Sequence, residues 1–203
     1  MGIKLWVSED MTIKRSYLPI AAAVLALLPA SATAQFADKG SEFVDAVRKS
    51  DGNKVVELLR DKPIGLIDSR GDDGNTALIV VLARRDEEWT GFLLNNGADP
   101  NLAGKGGDTP LMAAARAGYF DGVGWLLGLG AKVDTTNKSG ETALILAVQQ
   151  REPSVVRALL NAGANPDKTD NSAGYSARDY ASRDPRARDI LKMIETKKPK
   201  PGA

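Results

Sequence analysis

Apolar residues in this chain return in short clusters with helical spacing. Within each of three clusters the apolar positions lie one, three or four residues apart, so they share one face of a helix. The residues of the three clusters are Trp89, Phe92, Leu93, Val123, Leu126, Leu127, Val155, Val156, Leu159 and Leu160. A single short helix cannot bury such a face alone, so the pattern predicts helices that stack against their neighbours.

Two series of glycines divide the chain at almost the same interval. The first series, in which threonine or serine follows two residues later, is Gly74, Gly107, Gly140 and Gly174. The second series, which follows three Leu-Leu pairs, is Gly97, Gly130 and Gly163. The interval is 33 residues throughout, apart from 34 at the last step of the first series. A fixed period of this length predicts stacked structural repeats.

Each repeat carries its own helix boundaries. Thr76, Thr109 and Thr142 precede apolar runs, where a side-chain oxygen can accept a hydrogen bond from an N–H of the first turn. The glycines of the second series stand where a second helix ends in a left-handed residue. Each repeat is therefore predicted to be a helix, a tight turn, a second helix and a long hairpin-like loop.

The residues between the glycines identify the unit. Residues 107–115 (GDTPLMAAA) and 140–147 (GETALILA) resemble the opening of the ankyrin repeat, which reads T-P-L-H-x-A. Residues 97–101 (GADPN), 130–134 (GAKVD) and 163–167 (GANPD) resemble the G-A-D-x-N exit of the same family. The resemblance implies an all-α solenoid with three full repeats between degenerate caps.

The resemblance covers roughly residues 41–194. The expected units are an N-terminal cap at about 41–68, full repeats at 71–103, 104–136 and 137–169, and a C-terminal cap at 170–195. The apolar positions expected to face the core in the N-terminal cap are Phe43, Val44, Val47, Val55, Val56, Leu58 and Leu59. The link at residues 61–66 is the junction expected to be most irregular. Residues 196–203 are basic and proline-rich, which predicts a disordered tail.

One position departs from the family pattern. Its histidine is replaced by Ile79, Met112 and Ile145, and the chain contains no histidine. In the family this histidine joins a hydrogen-bond network with the threonine. Its loss is expected to shift the inner helices toward apolar packing and to lower stability below that of a consensus array.

The beginning of the chain has the pattern of a secretory signal peptide. Lys14 and Arg15 precede an apolar run at residues 18–28, and alanines follow at positions 30, 32 and 34. Cleavage after Ala34 would leave a domain at 35–195 followed by the tail, with Met11 as an alternative start of translation. The predicted location is the periplasm, with secretion or an uncleaved membrane anchor as alternatives. The run is shorter than the ~18 or more residues that usually span a bilayer.

Composition restricts the chemistry. The segment to Ala34 carries three basic and two acidic residues, so its removal leaves 24 of each and a net charge of zero. That balance argues against nucleic acid or a membrane surface as a partner. Without cysteine or histidine there is no thiol nucleophile, no imidazole base and no ordinary zinc site. We therefore predict no catalytic residues, no metal and no cofactor.

The family resemblance also indicates where a partner would bind. Ankyrin proteins usually engage partners through the hairpin tips and the exposed face of the inner helices. The corresponding positions here are Asp72, Asp73, Asn75, Arg84, Lys105, Asp108, Arg116, Lys138, Ser139, Glu141, Gln149 and Gln150. Tyr119 is added as a partly exposed aromatic anchor, beside Phe120, with a packing role at the helix start as the alternative. Trp125 is assigned to the core.

These observations favour an exported, monomeric protein that binds another protein through its concave face. An inhibitor or immunity protein, a protective protein and a scaffold all fit, with envelope proteins or incoming effectors as partners. The alternatives are a small-ligand binder in the same groove, an accessory protein in oxidative-stress defence, or a self-associating envelope component.

Overall fold

The computed structural model of this chain describes residues 30–60 and 64–196. The predicted signal segment up to residue 29, residues 61–63 of the expected irregular link and the predicted tail from residue 197 lie outside the described residues. The described part is all-α, as predicted. Its helices are α1 (Ala30–Arg48), α2 (Gly52–Leu59), α3 (Ala77–Ala83), α4 (Glu87–Asn95), α5 (Pro110–Ala117), α6 (Phe120–Gly128), α7 (Ala143–Gln149), α8 (Pro153–Asn161), α9 (Ala177–Arg183) and α10 (Arg188–Thr196).

The helices form a single stack of antiparallel pairs. Inner helices α1, α3, α5, α7 and α9 pack against one another in chain order, and outer helices α6, α8 and α10 do the same. Each inner helix also packs against the outer helix that follows it. The result is a solenoid in which each pair is supported by its nearest neighbours.

The predicted N-caps are confirmed. The hydroxyl oxygens of Thr76, Thr109 and Thr142 accept hydrogen bonds from the N–H groups of the residues three positions later, at 3.3, 3.3 and 3.2 Å. Ser176 does the same for α9 at 3.2 Å. Because the first N–H groups of a helix lack a partner within the helix, such caps typically contribute ~1 kcal/mol each.

The inner helices supply most of the core. α3, α5 and α7 present almost entirely apolar sequences, and most of their side chains are buried. Ile79, Met112 and Ile145, which replace the family histidine, are 6%, 1% and 0% exposed. The Thr109 N–H donates to the Met112 sulfur at 3.4 Å, so one polar contact survives at this position. The expected shift toward apolar packing is confirmed.

One expected core residue of the N-terminal cap lies at the surface. Val56 is 60% exposed, whereas its neighbour Val55 is fully buried. α2 packs chiefly against α1, and no outer helix precedes it in the described part of the chain, so the side of α2 that carries Val56 is not covered. The prediction was therefore wrong for Val56.

A series of side chains links each repeat to the next through the loops that precede the hairpins. Asp68 accepts a hydrogen bond from the N–H of Asp99 at 2.9 Å. Asn101 accepts from Lys132 at 2.8 Å, and Asp134 accepts from the next repeat in the same way, from Asn165 at 2.9 Å. The three acceptors are themselves 33 residues apart. Each one therefore satisfies a backbone N–H that belongs to the following repeat.

The turn between the two helices of a pair takes a left-handed residue. Arg85, Gly118 and Arg151 occupy this position in three successive pairs, with φ of 58°, 65° and 57°. Arg85 Nη2 lies 3.8 Å from Glu152 Oε1, although these residues belong to helix pairs two repeats apart. A Cβ at Gly118 would lie 2.4 Å from that same oxygen. Because Gly118 has no side chain, the ion pair between Arg85 and Glu152 can pass over the repeat that lies between them.

The hairpin loops end in four tips, which we call tip 1 (71–75), tip 2 (104–108), tip 3 (137–141) and tip 4 (170–175). Each tip is closed by a backbone hydrogen bond across its base, as from the N–H of Gly104 to the carbonyl of Asp108 at 2.9 Å. Neighbouring tips are joined directly. The Lys138 N–H donates to the Gly106 carbonyl at 3.1 Å, and the Asn171 N–H donates to the Ser139 carbonyl at 2.8 Å. The four tips together form what we call the tip row.

Substitution of the tip glycines should separate backbone strain from tip stacking. Gly140 and Gly174 hold equivalent positions and have φ of 76° and 68°. A Cβ at Gly140 would lie 2.7 Å from the backbone nitrogen of Asn171, whereas a Cβ at Gly174 would meet nothing within 4 Å. Both alanine variants should lose ~1–2 kcal/mol from left-handed strain. Gly140→Ala should lose ~1 kcal/mol or more in addition, because it also displaces the next tip.

Urea unfolding followed by far-UV circular dichroism measures the two losses. Equal losses for Gly140→Ala and Gly174→Ala would show that the contact between tips 3 and 4 does not contribute to stability.

Candidate functional site

The second residue of each tip lies at the same position along the tip row. These residues are Asp72, Lys105, Lys138 and Asn171, which are all exposed. Asp72, Lys105 and Lys138 belong to the predicted site. Asn171 was missed, although the 33-residue interval from Lys138 would have located it. The structure therefore places four side chains in register on the outer edge of the hairpins.

The rest of tip 1 is held by internal contacts. Asp73 accepts hydrogen bonds from the Asn75 N–H at 3.0 Å and from the Asn75 side-chain amide at 3.2 Å. Arg48 of α1 donates to the same carboxylate at 2.8 Å. The Asn75 backbone bond, reinforced by its side chain and by Arg48, lowers the pKa of Asp73 below its ordinary value despite the opposing effect of burial. Asp73 and Asn75 therefore shape the tip, and Asp72 extends from it.

Tips 2 and 3 share a polar cluster at their bases. Arg116 donates to Asp108 at 2.8 Å and lies 4.0 Å from the carboxylate of Glu141. The side-chain amide of Asn137 donates to both acids, at 2.7 Å to Asp108 and 2.9 Å to Glu141. Asn137 was not predicted, since an isolated asparagine at the start of a tip carries no signal of such a bridge. Its carbonyl oxygen also accepts from the N–H groups of Ser139 and Glu141.

Arg84 serves the N-terminal cap. Its guanidinium donates to the backbone carbonyls of Arg48 and Val47 at 2.7 and 3.2 Å and to the Ser50 hydroxyl at 3.2 Å. It also pairs with Asp86 at 2.9 Å. A cation at the end of a helix stabilises its unsatisfied carbonyls. Arg84 therefore joins α1 to the first full repeat, and its donors are engaged within the array.

Tyr119 does not offer an aromatic anchor. Its side chain is only 7% exposed, and its ring meets Trp125 edge to face with centroids 6.1 Å apart. The ring also lies against Gly122, where a Cβ would come within 2.5 Å of it. The prediction of a partly exposed Tyr119 was wrong, because the missing side chain at Gly122 opens a place for the ring. Phe120 is the exposed member of the pair, at 51%.

The glutamines lie at the C-terminal end of α7, the end that is farther from tip 3. Gln149 is half-buried and Gln150 is exposed. In the next repeat the equivalent of Gln149 is Arg183, whose guanidinium lies 4.0 Å above the ring of Tyr175. Tyr175 in turn meets Tyr180 edge to face at 5.6 Å. The concave side is therefore neutral near α7 and aromatic near α9.

Tip 4 is built around a buried carboxylate. Asp170 is 4% exposed and accepts hydrogen bonds from three N–H groups, those of Ser172, Ala173 and Gly174, at 2.7–3.0 Å. The Tyr180 hydroxyl donates to it at 2.6 Å. Burial alone would raise the pKa of Asp170, but the hydroxyl and the three N–H groups outweigh it and lower the pKa below its ordinary value.

The described residues contain no group of three or more histidines, cysteines or acids that could hold a metal ion. A groove of about 990 Å³ lies beside α1 and α2, and Asp72 alone among the predicted site residues lines it. No helix in the described ranges has the length and apolar character needed to cross a bilayer.

A family model described as ankyrin repeats, in three copies, matches residues 43–137 and residues 125–200. The chain belongs to the ankyrin-repeat family. Ankyrin repeats are protein–protein interaction modules, and proteins built from them are generally not enzymes. Among curated proteins, none matches this chain.

Removal of the buried charge in tip 4 should make the array less stable in a pH-dependent way. Because the pKa of Asp170 is lower in the folded chain, its ionised form stabilises the fold above the ordinary carboxyl pKa of 3.8. That stability is lost as the pH falls through the lower, folded pKa. Asp170→Asn keeps the shape but replaces charge-assisted hydrogen bonds with weaker neutral ones. It should lose ~1 kcal/mol or more of unfolding free energy at pH 7, with a smaller loss below about pH 4.

Urea unfolding at pH 7, 4 and 3 measures the difference between the native chain and the variant. Asp189→Asn, at an exposed position of α10, is the matched control for the loss of one acid. A difference that stays constant at all three pH values would contradict the role given to the Asp170 charge.

Proposed function

We propose that this ankyrin array is an exported module that binds another protein through its concave side, formed by the tip row and the ends of the inner helices. The observation that carries the proposal is the register of exposed side chains along the tips. Asp72, Lys105, Lys138 and Asn171 recur once per repeat and point away from the core, whose apolar residues are engaged in stacking.

The character of this surface supports a protein as the partner. It combines carboxylates, lysines, amides and hydroxyls, and several of its charges are balanced internally, as Arg116 is by Asp108. A surface of mixed sign gives electrostatic complementarity to another protein surface. A lipid headgroup layer or a nucleic acid would be matched better by a uniformly basic face.

Export rests on the sequence before the array. The basic pair, the apolar run and the alanines around position 34 have the order of a cleaved signal peptide. The partner would then be an envelope protein or an incoming effector, and the role that of an inhibitor, an immunity protein, a protective protein or a scaffold. In this setting we expect the array to be a monomer before it binds.

Export predicts a new N-terminus. The protein recovered from the periplasm or the medium should begin at Gln35, or at Thr33 if cleavage follows Ala32. Intact-mass spectrometry of the fractionated protein measures this. Leu25→Arg with Leu27→Arg interrupts the apolar run and should retain the uncleaved chain inside the cell. An uncleaved native chain found only in the cytoplasm would contradict export.

Affinity capture tests the binding side. The bait is the chain from Gln35 onward, compared with a variant that carries Ser139→Arg, Gln150→Arg and Asn171→Arg on the concave side. The matched control carries Asn95→Arg, Ser154→Arg and Ala162→Arg, which are exposed positions at or next to the outer helices α4 and α8. Both variants add three positive charges. The partner should be lost with the first variant and retained with the second.

Two outcomes would oppose the proposal. Loss of the partner with the outer-helix variant alone would place binding on the convex side. Capture of no protein by the native bait, across several growth and stress conditions, would count against a stable protein partner.

A further inference from the structure

The in-register side chains of the tip row carry a pattern of charge. Read from tip 1 to tip 4, they are an acid, two lysines and an amide: Asp72, Lys105, Lys138 and Asn171. The row is continuous because backbone hydrogen bonds join tips 2, 3 and 4. Tip 1 is in contact with tip 2, since a Cβ at Gly74 would lie 2.7 Å from the Cβ of Lys105.

The lysines of this row are not balanced within the part of the chain that the structure describes. Ion pairs within 4.0 Å engage Asp73 with Arg48 and both Asp108 and Glu141 with Arg116. Lys105 and Lys138 have no carboxylate within that distance among the described residues. Asp72 accepts the Ser41 hydroxyl at 2.6 Å but has no ion pair there either. The bases of the tips are thus neutralised, while the outer edge keeps its charges.

The spacing of the row restricts the shape of a matching ligand. Packed helices lie about 8–10 Å apart, so equivalent side chains in stacked repeats recur at about that distance. A polyproline II segment has three residues per turn and rises ~3.1 Å per residue, so every third side chain lies on one face about 9 Å further on. An extended strand alternates its side chains and would turn every third one away.

We propose that the tip row recognises an extended, polyproline-II-like segment of the partner protein that carries a basic residue and then two acidic residues at three-residue intervals. The basic residue faces Asp72, and the two acids face Lys105 and Lys138. This inference rests on the proposed protein-binding function and specifies the chemistry of the partner. The carboxylate of Asp72 at the end of the row is the feature that disfavours a polyanion.

Peptides of one composition test the spacing. The in-register probes are PPRPPEPPEPP and its reverse, PPEPPEPPRPP, because the row does not fix the direction of the segment. The control, PPPRPEPEPPP, contains the same residues with the charges two positions apart. Each peptide is titrated into the isotope-labelled chain, and binding is followed by amide chemical shifts. This method detects weak binding, which is what a few exposed ion pairs give. One in-register probe should shift the amides of tips 1, 2 and 3 and bind at least fivefold more tightly than the control.

Charge exchange tests the residues. Lys105→Glu with Lys138→Glu leaves three acids in the row, so it should lose binding of the in-register probe at least fivefold and gain binding of the all-basic peptide PPRPPRPPRPP. Lys105→Gln with Lys138→Gln should bind neither. Asp72→Lys should lower the affinity for the in-register probe about twofold or more but raise the affinity for a single-stranded 12-mer DNA. Far-UV circular dichroism checks that each variant is folded.

Equal affinity for the in-register probes and the spacing control, or shifts outside the tip row, would overturn the inference. So would tight binding of the DNA to the native chain that the lysine variants abolish, since that result indicates a polyanion. If the peptides fail while affinity capture still depends on the concave side, only the charge pattern is wrong. If the peptides bind but no protein is captured, the charge pattern stands and the proposed function fails.

Discussion

Stacking of each helix pair on the next is the constraint on which the structure depends. Inner helices α3, α5 and α7 are apolar on nearly every side because each has a neighbour before and after it, as α5 has α3 and α7. Burial of this kind stabilises the chain only when the neighbours are present, so each repeat depends on the others. The polar contacts follow the same arrangement, since Asp68, Asn101 and Asp134 each serve a backbone N–H of the next repeat.

This constraint separates two kinds of surface residue. Polar groups at the bases of the tips, such as Asp108, Arg116 and Asn137, join neighbouring repeats through hydrogen bonds. Residues at the outer edge of the tips, such as Lys105 and Lys138, form no side-chain ion pair within the described structure. Their charged groups therefore remain available, which makes this edge suitable for recognition of a partner.

The periodicity of the sequence was sufficient for the fold and for the positions of the tips. A threonine before an apolar run predicts a helix start at Thr76 or Thr142 because the cap is a local interaction within three residues. The roles of Arg84, Tyr119 and Asn137 depend on contacts between elements. Arg84 reaches carbonyls more than 30 residues earlier, and Tyr119 is buried because Gly122 leaves space beneath its ring. The partners of Arg84 lie in another repeat, and the space at Gly122 is recognised only when the direction of the Tyr119 side chain is known.

The ion pair between Arg85 and Glu152 extends beyond nearest neighbours, because it passes over Gly118 in the repeat between them. The tip row, in contrast, adds one side chain for each repeat at a constant spacing. Duplication of a whole repeat would lengthen the row by one position and leave every other position in phase. An insertion of a few residues within a tip would break that phase. Duplication of repeats can therefore extend the binding surface by one side chain at a time, while the contacts between neighbouring repeats stay the same.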